Sequence, residues 1–490
     1  MAQHKRGVPR TQTALLPPTL EDYAGRDSVA RVIDAYVNGV DVVALGFKKS
    51  VATGTGRPAY APDDLLRLYL YGYWNRIRAS RKLEIECHRN VELMWLMRQL
   101  APDHKTIAEF RRINGVAFRG VCAQFVQFLR ETRLVGGEEP VVAVDGSKFK
   151  ACAAKRSVMD AEELAKQRKR IEKRIADYLE EMDEADRQEE GETQPTAEQI
   201  EAALERLRQR DKKLEQAHSE LAAQSQATDT GKTTRVGLTD PDSVLLMGKR
   251  GEAVVGYNVQ QAVDAKHNLI VAHEVTTLGN DHTSLEPMAI AAQQALEAKS
   301  MTVVTDCGYM NGAQAQACEE RGITPCVPMA QPSHTKAAEC YPKSMFTYDG
   351  KSDTYRCPAG ELLTRYKHDQ RVRTDYYATS ACSRCALRPQ CTKAKRRTIT
   401  RSWFAGAAER AHQRVQRNPR LMRLRRESAE HPFGNLKAML GGAFSVRTLP
   451  TVKGEMALAV LAYNMKRAAN VLGIEHLIEK LWMRTALSGA

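Results

Sequence analysis

The chain has 490 residues, with 73 Lys or Arg against 59 Asp or Glu, which gives a formal net charge of +14 and an isoelectric point near 9.2. No stretch approaches the roughly 18 consecutive apolar residues of a membrane span, and residues 1–18 lack the apolar segment of a secretory signal. Eleven cysteines in such a chain argue against a disulfide framework and predict a reducing cytoplasm. The composition favours a cytoplasmic protein of roughly two to four domains, with an anionic partner and no membrane attachment.

The first 137 residues are predicted to be helical. We divide them into a leader with a first helix, 1–55, and a helical domain, 56–137. Hydrophobic periodicity and turn residues predict helices in both parts. The expected segments are 28–37, 65–74, 81–87, 91–97 and one that opens at 102. Asp63 and Asp64 would cap the second of these helices.

The last of these helices is basic and follows several short ones, an order that resembles a helix-turn-helix. Such a unit would place three side chains on double-stranded DNA: Lys105, Arg111 and Arg112. A helical packing domain with surface arginines is the alternative interpretation.

Two apolar, β-branched runs each end in an aspartate with a glycine close behind. The first leads to Asp145 and the second to Asp306. Such runs are typical of buried strands, and functional groups of α/β sheets collect beyond the carboxyl ends of strands. Each aspartate alone could equally form a turn, since Asp-Gly is common turn chemistry.

Between these runs lies a segment rich in Glu, Lys, Arg, Ala, Gln and Leu, 160–225. Its apolar residues recur at helical steps, which predicts two coiled-coil-like helices in an antiparallel hairpin with a turn at 191–195. The polar residues Asp211 and His218 fall in the predicted seam. A DNA grip, a subunit contact and a spacer are all open as roles of this hairpin.

A β-hairpin is expected over 253–272, followed by a helix that runs through residue 297. Asp281, at the start of this helix, rivals Asp306 as a functional carboxylate. We interpret Asp281 as a helix cap and prefer Asp306, which ends a strand. Segments 138–159 and 226–329 would form the first part of one catalytic core.

Residues 330–405 form a second insertion that carries four grouped cysteines: Cys357, Cys382, Cys385 and Cys391. A Cys-x-x-Cys pair with two further cysteines completes the tetrahedral thiolate set of structural zinc sites. Four ordinary reduced thiols are the alternative, because the gap before Cys382 is longer than typical ribbon spacings.

The C-terminal part of the core, 406–490, follows a basic stretch and contains a carboxylate. Residues 393–426 hold many Lys and Arg but a single acid, Glu409, a pattern that indicates nucleic-acid contact. Arg426, Glu430 and Lys437 then follow at spacings that place a cation, a carboxylate and a cation on one helix face. Pro432 is expected to kink or break this helix just past Glu430 and take Lys437 off that face.

Taken together, these segments resemble a bacterial insertion-sequence transposase of the DDE type, in the eleven-eighty-two group of insertion sequences. Matching stretches lie between residue 56 and Arg467; they include Gly56–Tyr60, Asp103–Ile107, Val144–Gly146, Gly256–Asn258, Asp306–Tyr309 and Glu430–Gly434. The resemblance implies an α/β fold with an RNase H-like catalytic core, in which a mixed sheet is flanked by helices. It places the catalytic carboxylate triad on Asp145, Asp306 and Glu430. Related families carry a tyrosine where this chain has Arg423.

The resemblance further implies metal-dependent cleavage of DNA at element ends and strand transfer into target DNA. The triad would hold two Mg²⁺ or Mn²⁺ ions, which suits in-line phosphoryl displacement. The expected phosphate contacts near the triad are Arg423, Arg425, Arg426 and Lys437. We expect a homodimer on the DNA and a bacterial, nucleoid-associated location. A nuclease of the same fold without strand transfer and a catalytically silent DNA-binding regulator are the alternatives.

Overall fold

The protein is described by a computed structural model that covers residues 19–51, 58–185, 197–227, 235–247, 251–330 and 340–488, without the side chains of 178–200 and 220–227. The predicted hairpin turn at 191–195 and the residues Gly56 and Arg57 lie outside this description. Within the described residues, no helix is long and apolar enough to cross a lipid bilayer.

The N-terminal part is helical, as predicted. Its helices are α1 (Leu20–Tyr23), α2 (Val29–Val37), α3 (Pro62–Trp74), α4 (Ser80–Arg89), α5 (Val91–Leu96), α6 (His104–Ile113) and α7 (Gly115–Glu131). The capping prediction for α3 is wrong, because the helix begins one residue before Asp63 and neither aspartate precedes it. Both lie in the first turn instead, where Arg67 Nη1 donates to Asp63 at 2.7 Å and to Asp64 at 3.2 Å.

The central part of the chain contains a mixed sheet. Its elements are β1 (Val141–Lys150), β2 (Val158–Met159), α8 (Ala161–Ala185), α9 (Ala197–Ala227), β3 (Val236–Gly237), β4 (Val244–Met247), β5 (Ala253–Asp264), β6 (Ile270–Thr276), α10 (Leu285–Leu296), β7 (Met301–Val304), α11 (Gly312–Glu320) and β8 (Ile323–Cys326). The sheet order is β4-β5-β1-β7-β8, and β6 also pairs with β5. β5 runs antiparallel to β1, whereas β7 is parallel to both β1 and β8. This mixed sheet fits the expected RNase H-like core.

β1 is longer than the sequence predicted, and its two neighbours end at different places. The parallel pairs with β7 stop at Ala143↔Val304, whereas the antiparallel pairs with β5 continue to Lys150↔Gly256. Asp145 therefore does not end the strand. It lies just beyond the last β7 pair, where β1 has a strand partner on one side only.

The segment inserted between β1 and β5 contains the two long helices α8 and α9, which pack against each other. Leu164 and Ile171 from α8 share a small buried cluster with Leu214 and Ala217 from α9. Asp211 is held by Arg168, whose Nε lies 3.1 Å from its Oδ1. Asp211, a polar residue of the predicted seam between the two helices, therefore has a charged partner on the opposite helix.

The cysteine-bearing segment forms a separate small sheet. Its elements are β9 (Thr347–Asp349), β10 (Thr354–Arg356), β11 (Leu362–Asp369), β12 (Thr374–Ala378), α12 (Arg388–Cys391) and β13 (Ile399–Ser402). The strand order is β13-β12-β11-β10-β9, antiparallel throughout. Aromatic residues such as Tyr355 and Tyr377 fill its own core, with Cys357 and Cys391 packed against them.

The C-terminal helices complete the main core. They are α13 (Ala405–Arg417), α14 (Arg420–Met439), α15 (Leu449–Leu472) and α16 (Ile474–Ser488). α15 is buried and packs against α7, α3 and β6, so the N-terminal helices and the mixed sheet share one hydrophobic core. It lies close to α7, where a Cβ at Gly454 would overlap the backbone of Gly115.

The predicted break at Pro432 is wrong, because α14 continues through it to Met439. Pro432, Phe433 and Leu436 are all buried, and α14 packs along β1 and β5. Tertiary packing therefore maintains the helix although the proline lacks an N–H for the helical hydrogen bond.

Candidate active site

Two aspartates meet at the edge of the sheet where β7 ends. Asp145 is buried on β1, and its Oδ1 accepts a hydrogen bond from the backbone N–H of Gly146 at 2.9 Å. Asp306 follows β7 and caps the next turn by accepting from the N–H of Gly308 at 2.8 Å. β1 and β7 are parallel neighbours with Ala143 paired to Val304, so Asp145 and Asp306, each two residues further on, lie side by side although they are far apart in sequence.

A single arginine bridges this acidic pair. Arg425 Nη2, from α14, lies 2.9 Å from Asp145 Oδ2 and 3.5 Å from Asp306 Oδ2. Burial raises the pKa of Asp145, the nearby Arg425 charge opposes this rise, and Asp306 adds to it. Arg425 therefore partly neutralises two carboxylates that would otherwise repel each other.

The third predicted carboxylate, Glu430, is exposed on α14 and lines a cavity of about 550 Å³ together with Asp145 and Lys437. β5 fixes the position of this helix, because Gln261 Nε2 donates to the carbonyl of Ala429 at 2.7 Å. Lys437 Nζ also lies 5.4 Å from the centre of the Phe149 ring. Glu430 and Lys437 thus face one cavity, and the expectation that Pro432 separates them is wrong.

Asp281 lines the same cavity, and its interpretation as a helix cap is wrong. α10 begins at Leu285, three residues beyond the point at which Asp281 could cap it directly. Asp281 Oδ1 instead accepts from Asn258 Nδ2 at 2.8 Å and from Gln260 Nε2 at 2.6 Å. The Gly256-Tyr257-Asn258 motif is the sequence feature that points to this contact, because its Asn258 lies on β5 and binds Asp281.

A buried tyrosine lies near these acidic residues. Tyr309, three residues after Asp306, donates its hydroxyl hydrogen bond to Gln260 Oε1. Burial raises the pKa of Tyr309, and the negative charges of Asp281, Asp145 and Asp306 raise it further. The three aspartates therefore act on the same buried phenol from different elements.

The basic residues predicted to contact phosphate have different surroundings. Arg425 is bound to the acidic pair, and Arg423 is exposed with its Nε 2.8 Å from Glu427. Arg426 is exposed on α14, one turn before Glu430, and Lys437 lines the cavity. Only the last two combine a position near Glu430 with access to a ligand.

The basic stretch 393–426 is less charged in the fold than in the sequence. Arg410 and Arg414 both bind Glu319 of α11, at 2.5 and 2.6 Å, and Arg401 binds Glu409 at 2.5 Å. Glu319, which lies outside the stretch, and Glu409, the single acid within it, therefore neutralise part of the predicted positive charge.

Of the N-terminal DNA-contact candidates, Arg111 is wrongly predicted. Its side chain is 11% exposed, lies over the Tyr69 ring and reaches within 4.0 Å of the buried Glu455 of α15. Arg111 lies on the buried side of α6, where Glu455 of α15 provides the opposite charge. Lys105 is exposed, and Arg112 is exposed beside Glu109 at 2.8 Å.

The four grouped cysteines surround one small cavity of about 20 Å³, and all are free thiols. Burial raises the pKa of Cys391, and the neighbouring Cys382, Cys357 and Cys385 raise it further, whereas Arg397 opposes the rise. Among the described residues, no group of three or more His, Cys, Asp or Glu is already arranged to hold a metal ion. The sulfurs share a cavity without forming a finished coordination shell.

Two family comparisons match separate parts of the chain. A family described as "Transposase domain (DUF772)" matches residues 18–112, and one described as "Transposase DDE domain" matches residues 356–469. The second match includes Glu430 and the four cysteines. With the mixed α/β fold and its carboxylate-lined edge, these matches define the protein as an enzyme of the DDE class. More narrowly, the two matches identify the chain as a DNA transposase.

No curated protein matches the chain. Among solved structures, the chain is similar to a piggyBac transposase synaptic complex with hairpin DNA. The alignment covers 94% of this chain and 78% of the piggyBac chain, at 10% sequence identity and a TM-score of 0.31. A score at this level does not establish a shared fold.

Proposed function

We propose that this transposase cuts DNA at the ends of its element and joins those ends to target DNA, with Asp145, Asp306 and Glu430 as the catalytic triad. The observation that supports this most is the central place of Asp145. It shares Arg425 with Asp306 on one side and a cavity with Glu430 on the other. One buried carboxylate next to two more exposed ones suits a site for a pair of divalent ions.

The donor chemistry fits Mg²⁺ or Mn²⁺, because hard cations prefer carboxylate oxygens. Asp145, Asp306 and Glu430 would hold the ions, and Arg425 competes for two of these three groups. When bound, divalent ions supply charge stabilisation and lower the pKa of an attacking water or hydroxyl.

The protein's own side chains would bind and orient the DNA. Lys437 lies in the cavity with Glu430, where an ammonium group stabilises the negative charge that develops on a phosphate. Arg426 is exposed one turn away and is suited to hold a neighbouring phosphate of the same strand. Lys105 and Arg112 would contact the duplex farther from the cut. Synapsis of two ends implies a homodimer, and the substrate implies a nucleoid location.

The direct test is to incubate the purified protein with Mg²⁺ and the DNA that flanks its own gene, and to map the cuts. Asp145→Asn, Asp306→Asn and Glu430→Gln should each abolish cleavage while DNA binding persists. Asp349→Asn, an exposed change in the small sheet, is the matched control and should cut normally. A triad variant that cuts at the wild-type rate would contradict its assignment.

Strand joining is tested separately, with pre-cleaved ends and a target plasmid. A transposase yields joined products that depend on the same three residues. A nuclease would cut but not join, and a silent regulator would bind DNA without cutting it.

We also infer that the four cysteines hold a structural zinc ion. All four line one cavity in a segment with a small core of its own, where closed coordination would add stability. Metal analysis of the purified protein should find about one zinc per chain, and Cys382→Ser with Cys385→Ser should remove it. Cys307→Ser, an exposed cysteine outside this cavity, should retain the zinc. Wild-type protein without zinc would contradict the inference.

A further inference from the structure

The small sheet of the cysteine-bearing segment has two different faces. One face carries its own core, in which Leu363 and Tyr377 are buried. Successive residues of a strand alternate between faces, so the register of β11 and β12 places Tyr376 and Thr364 on the opposite face. Thr400 of β13 pairs with Tyr376 and lies on that face too. We call this the outer face; its two threonines are exposed.

A β-bulge in β11 brings two long side chains together on the outer face. Arg365 pairs with Tyr377, and the next pair joins Lys367 to Tyr376. Tyr366 is therefore the extra residue of the bulge, and it lies with Lys367 opposite one residue of β12. The Tyr366 ring is 47% exposed and meets the Tyr376 ring edge-to-face, with centroids 6.4 Å apart. The bulge thus presents an aromatic ring that the core of the sheet does not use.

Each tyrosine of the outer face has a cation over its ring. The Arg396 guanidinium lies 4.4 Å from the centre of the Tyr366 ring, and Lys367 Nζ lies 4.9 Å from that of Tyr376. Lys367 is also bound to Asp369 at 2.9 Å. Arg396 is exposed, and among the described residues no acid forms an ion pair with it. Its charge is therefore available to an anionic ligand.

Exposed aromatic rings next to cations are suited to unpaired nucleotides. Bases stack on aromatic rings and on guanidinium planes, while cations attract the phosphates between them. Stacking of this kind needs an open base face, which a base pair inside a duplex does not offer. A protein partner would favour a contiguous apolar patch, whereas the hydroxyl groups of Thr364 and Thr400 accompany these rings. The outer face therefore fits single-stranded DNA better than a duplex or a protein.

The small sheet is joined to the main core close to the acidic pair. β13 continues through Phe404 into α13, and a Cβ at Gly312 would overlap the carbonyl oxygen of Phe404. Gly312 begins α11, six residues after Asp306. Because six residues span at most about 22 Å, the end of β13 lies within roughly 25 Å of Asp306. A DNA strand held at the acidic pair could therefore extend to the small sheet.

We propose that the outer face binds single-stranded DNA, with unpaired bases stacked on Tyr366 and Tyr376 and phosphates held by Arg396 and Lys367. The proposal rests on the proposed function, because cleavage at the element ends is what supplies unpaired DNA. Every base has an aromatic face, so this binding does not depend on sequence. The outer face holds a released strand while the triad acts on its end.

The test is fluorescence anisotropy with the full-length protein in chelator, which prevents metal-dependent cleavage. The two probes are a labelled oligothymidylate and the duplex of the element end. Tyr366→Ala should weaken oligothymidylate binding at least about fivefold, the lower end expected for the loss of one stacked base, and leave duplex affinity unchanged. Tyr366→Phe keeps the ring and should bind as the wild type does. Arg396→Gln should also weaken binding of the oligothymidylate alone.

Tyr23→Ala is the matched control, because Tyr23 is likewise 47% exposed but lies on α1. It should bind both probes as the wild type does. Arg396→Gln leaves the bulge unchanged and keeps the test valid if Tyr366→Ala fails to fold. Wild-type oligothymidylate affinity in Arg396→Gln and Tyr366→Ala, or an equal loss for both probes in Arg396→Gln, would overturn the proposal.

The outcome for the outer face can be separated from that for the triad. Asp145→Asn should bind oligothymidylate as the wild type does although it no longer cuts. If Asp145→Asn abolishes cleavage while Tyr366→Ala and Arg396→Gln bind normally, the outer-face proposal is wrong and the proposed function stands. If Asp145→Asn cuts normally while those two variants lose the oligothymidylate, the triad is wrong and the binding surface stands.

Discussion

Replacing Arg425 by glutamine should make the protein less stable without metal and increase its affinity for Mg²⁺. Arg425 and Asp145 are 12% and 11% exposed at their side chains, and their charged atoms lie 2.9 Å apart. The same nitrogen reaches Asp306, 3.5 Å away. A cation that binds these two carboxylates must compete with the guanidinium group, so the variant removes the competitor.

The magnitude follows from the burial of the pair. Breaking a fully buried ion pair by removing one partner costs about 3–5 kcal/mol, because the other charge is left uncompensated. Asp306 is 38% exposed, so solvent screens part of this cost and about 2–3 kcal/mol is expected here. In the variant, bound Mg²⁺ would again neutralise the two carboxylates. Because about 1.4 kcal/mol corresponds to a factor of ten, the affinity of the variant for Mg²⁺ should be roughly 10- to 100-fold higher than that of the wild type.

The assay is thermal unfolding of the DNA-free protein, first in chelator and then across a Mg²⁺ titration. Arg425→Gln should unfold earlier in chelator, and its stability should rise at lower Mg²⁺ than that of the wild type. Arg423→Gln, which breaks only a surface pair on the same helix, should match the wild type throughout. Equal Mg²⁺ midpoints for Arg425→Gln and the wild type would refute the competition.

Three further predictions concern stability and DNA binding. Burial lowers the pKa of His273 from 6.5 to about 4. As the pH falls from about 6.5 to about 4, this histidine binds a proton in the unfolded chain before it does so in the folded protein, so the free energy of unfolding decreases. His273→Gln should flatten that loss, at most about 3 kcal/mol, in urea unfolding at several pH values. Gly454→Val should cost about 3 kcal/mol by forcing α15 from α7, whereas Gly434→Ala, with open space around it, should cost little in the same assay. Arg111→Gln should lower the unfolding midpoint and leave the DNA affinity unchanged in a binding titration, because Arg111 is largely buried. Arg112→Gln should lower the DNA affinity and leave the unfolding midpoint unchanged, because Arg112 is exposed. The same pair of effects in both variants would contradict this difference in burial.

Features of the fold that depend on local signals could be predicted from the sequence. The helices of the N-terminal part, the strand before Asp306 and the position of Glu430 on a helix follow from periodicity and from short motifs. Asp145 and Asp306 could be paired because each follows an apolar run typical of a buried strand and such groups collect at one edge of a sheet, although β1 continues past Asp145.

The errors come from contacts between distant segments. Arg111 has the pattern of a surface arginine, yet Glu455 of α15 lies beside it in the core. Pro432 has the lowest helix propensity of any residue, but burial against the sheet overrides that preference. Asp281 resembled a cap because neither its amide donors on β5 nor the space left by Gly146 is visible in the local sequence.

The position of α15 has a consequence for when the enzyme becomes active. Tyr73 and Glu455 are hydrogen bonded although they are 382 residues apart, and α15 fills the core between α3, α7 and the sheet. During synthesis the early helices leave the ribosome long before α15 exists, so their apolar faces have no partner until nearly the whole chain is made. A prematurely terminated chain that lacks α15 would carry all three residues of the proposed triad but no stable core to hold them. Truncation products of the gene should therefore be degraded rather than nick the chromosome.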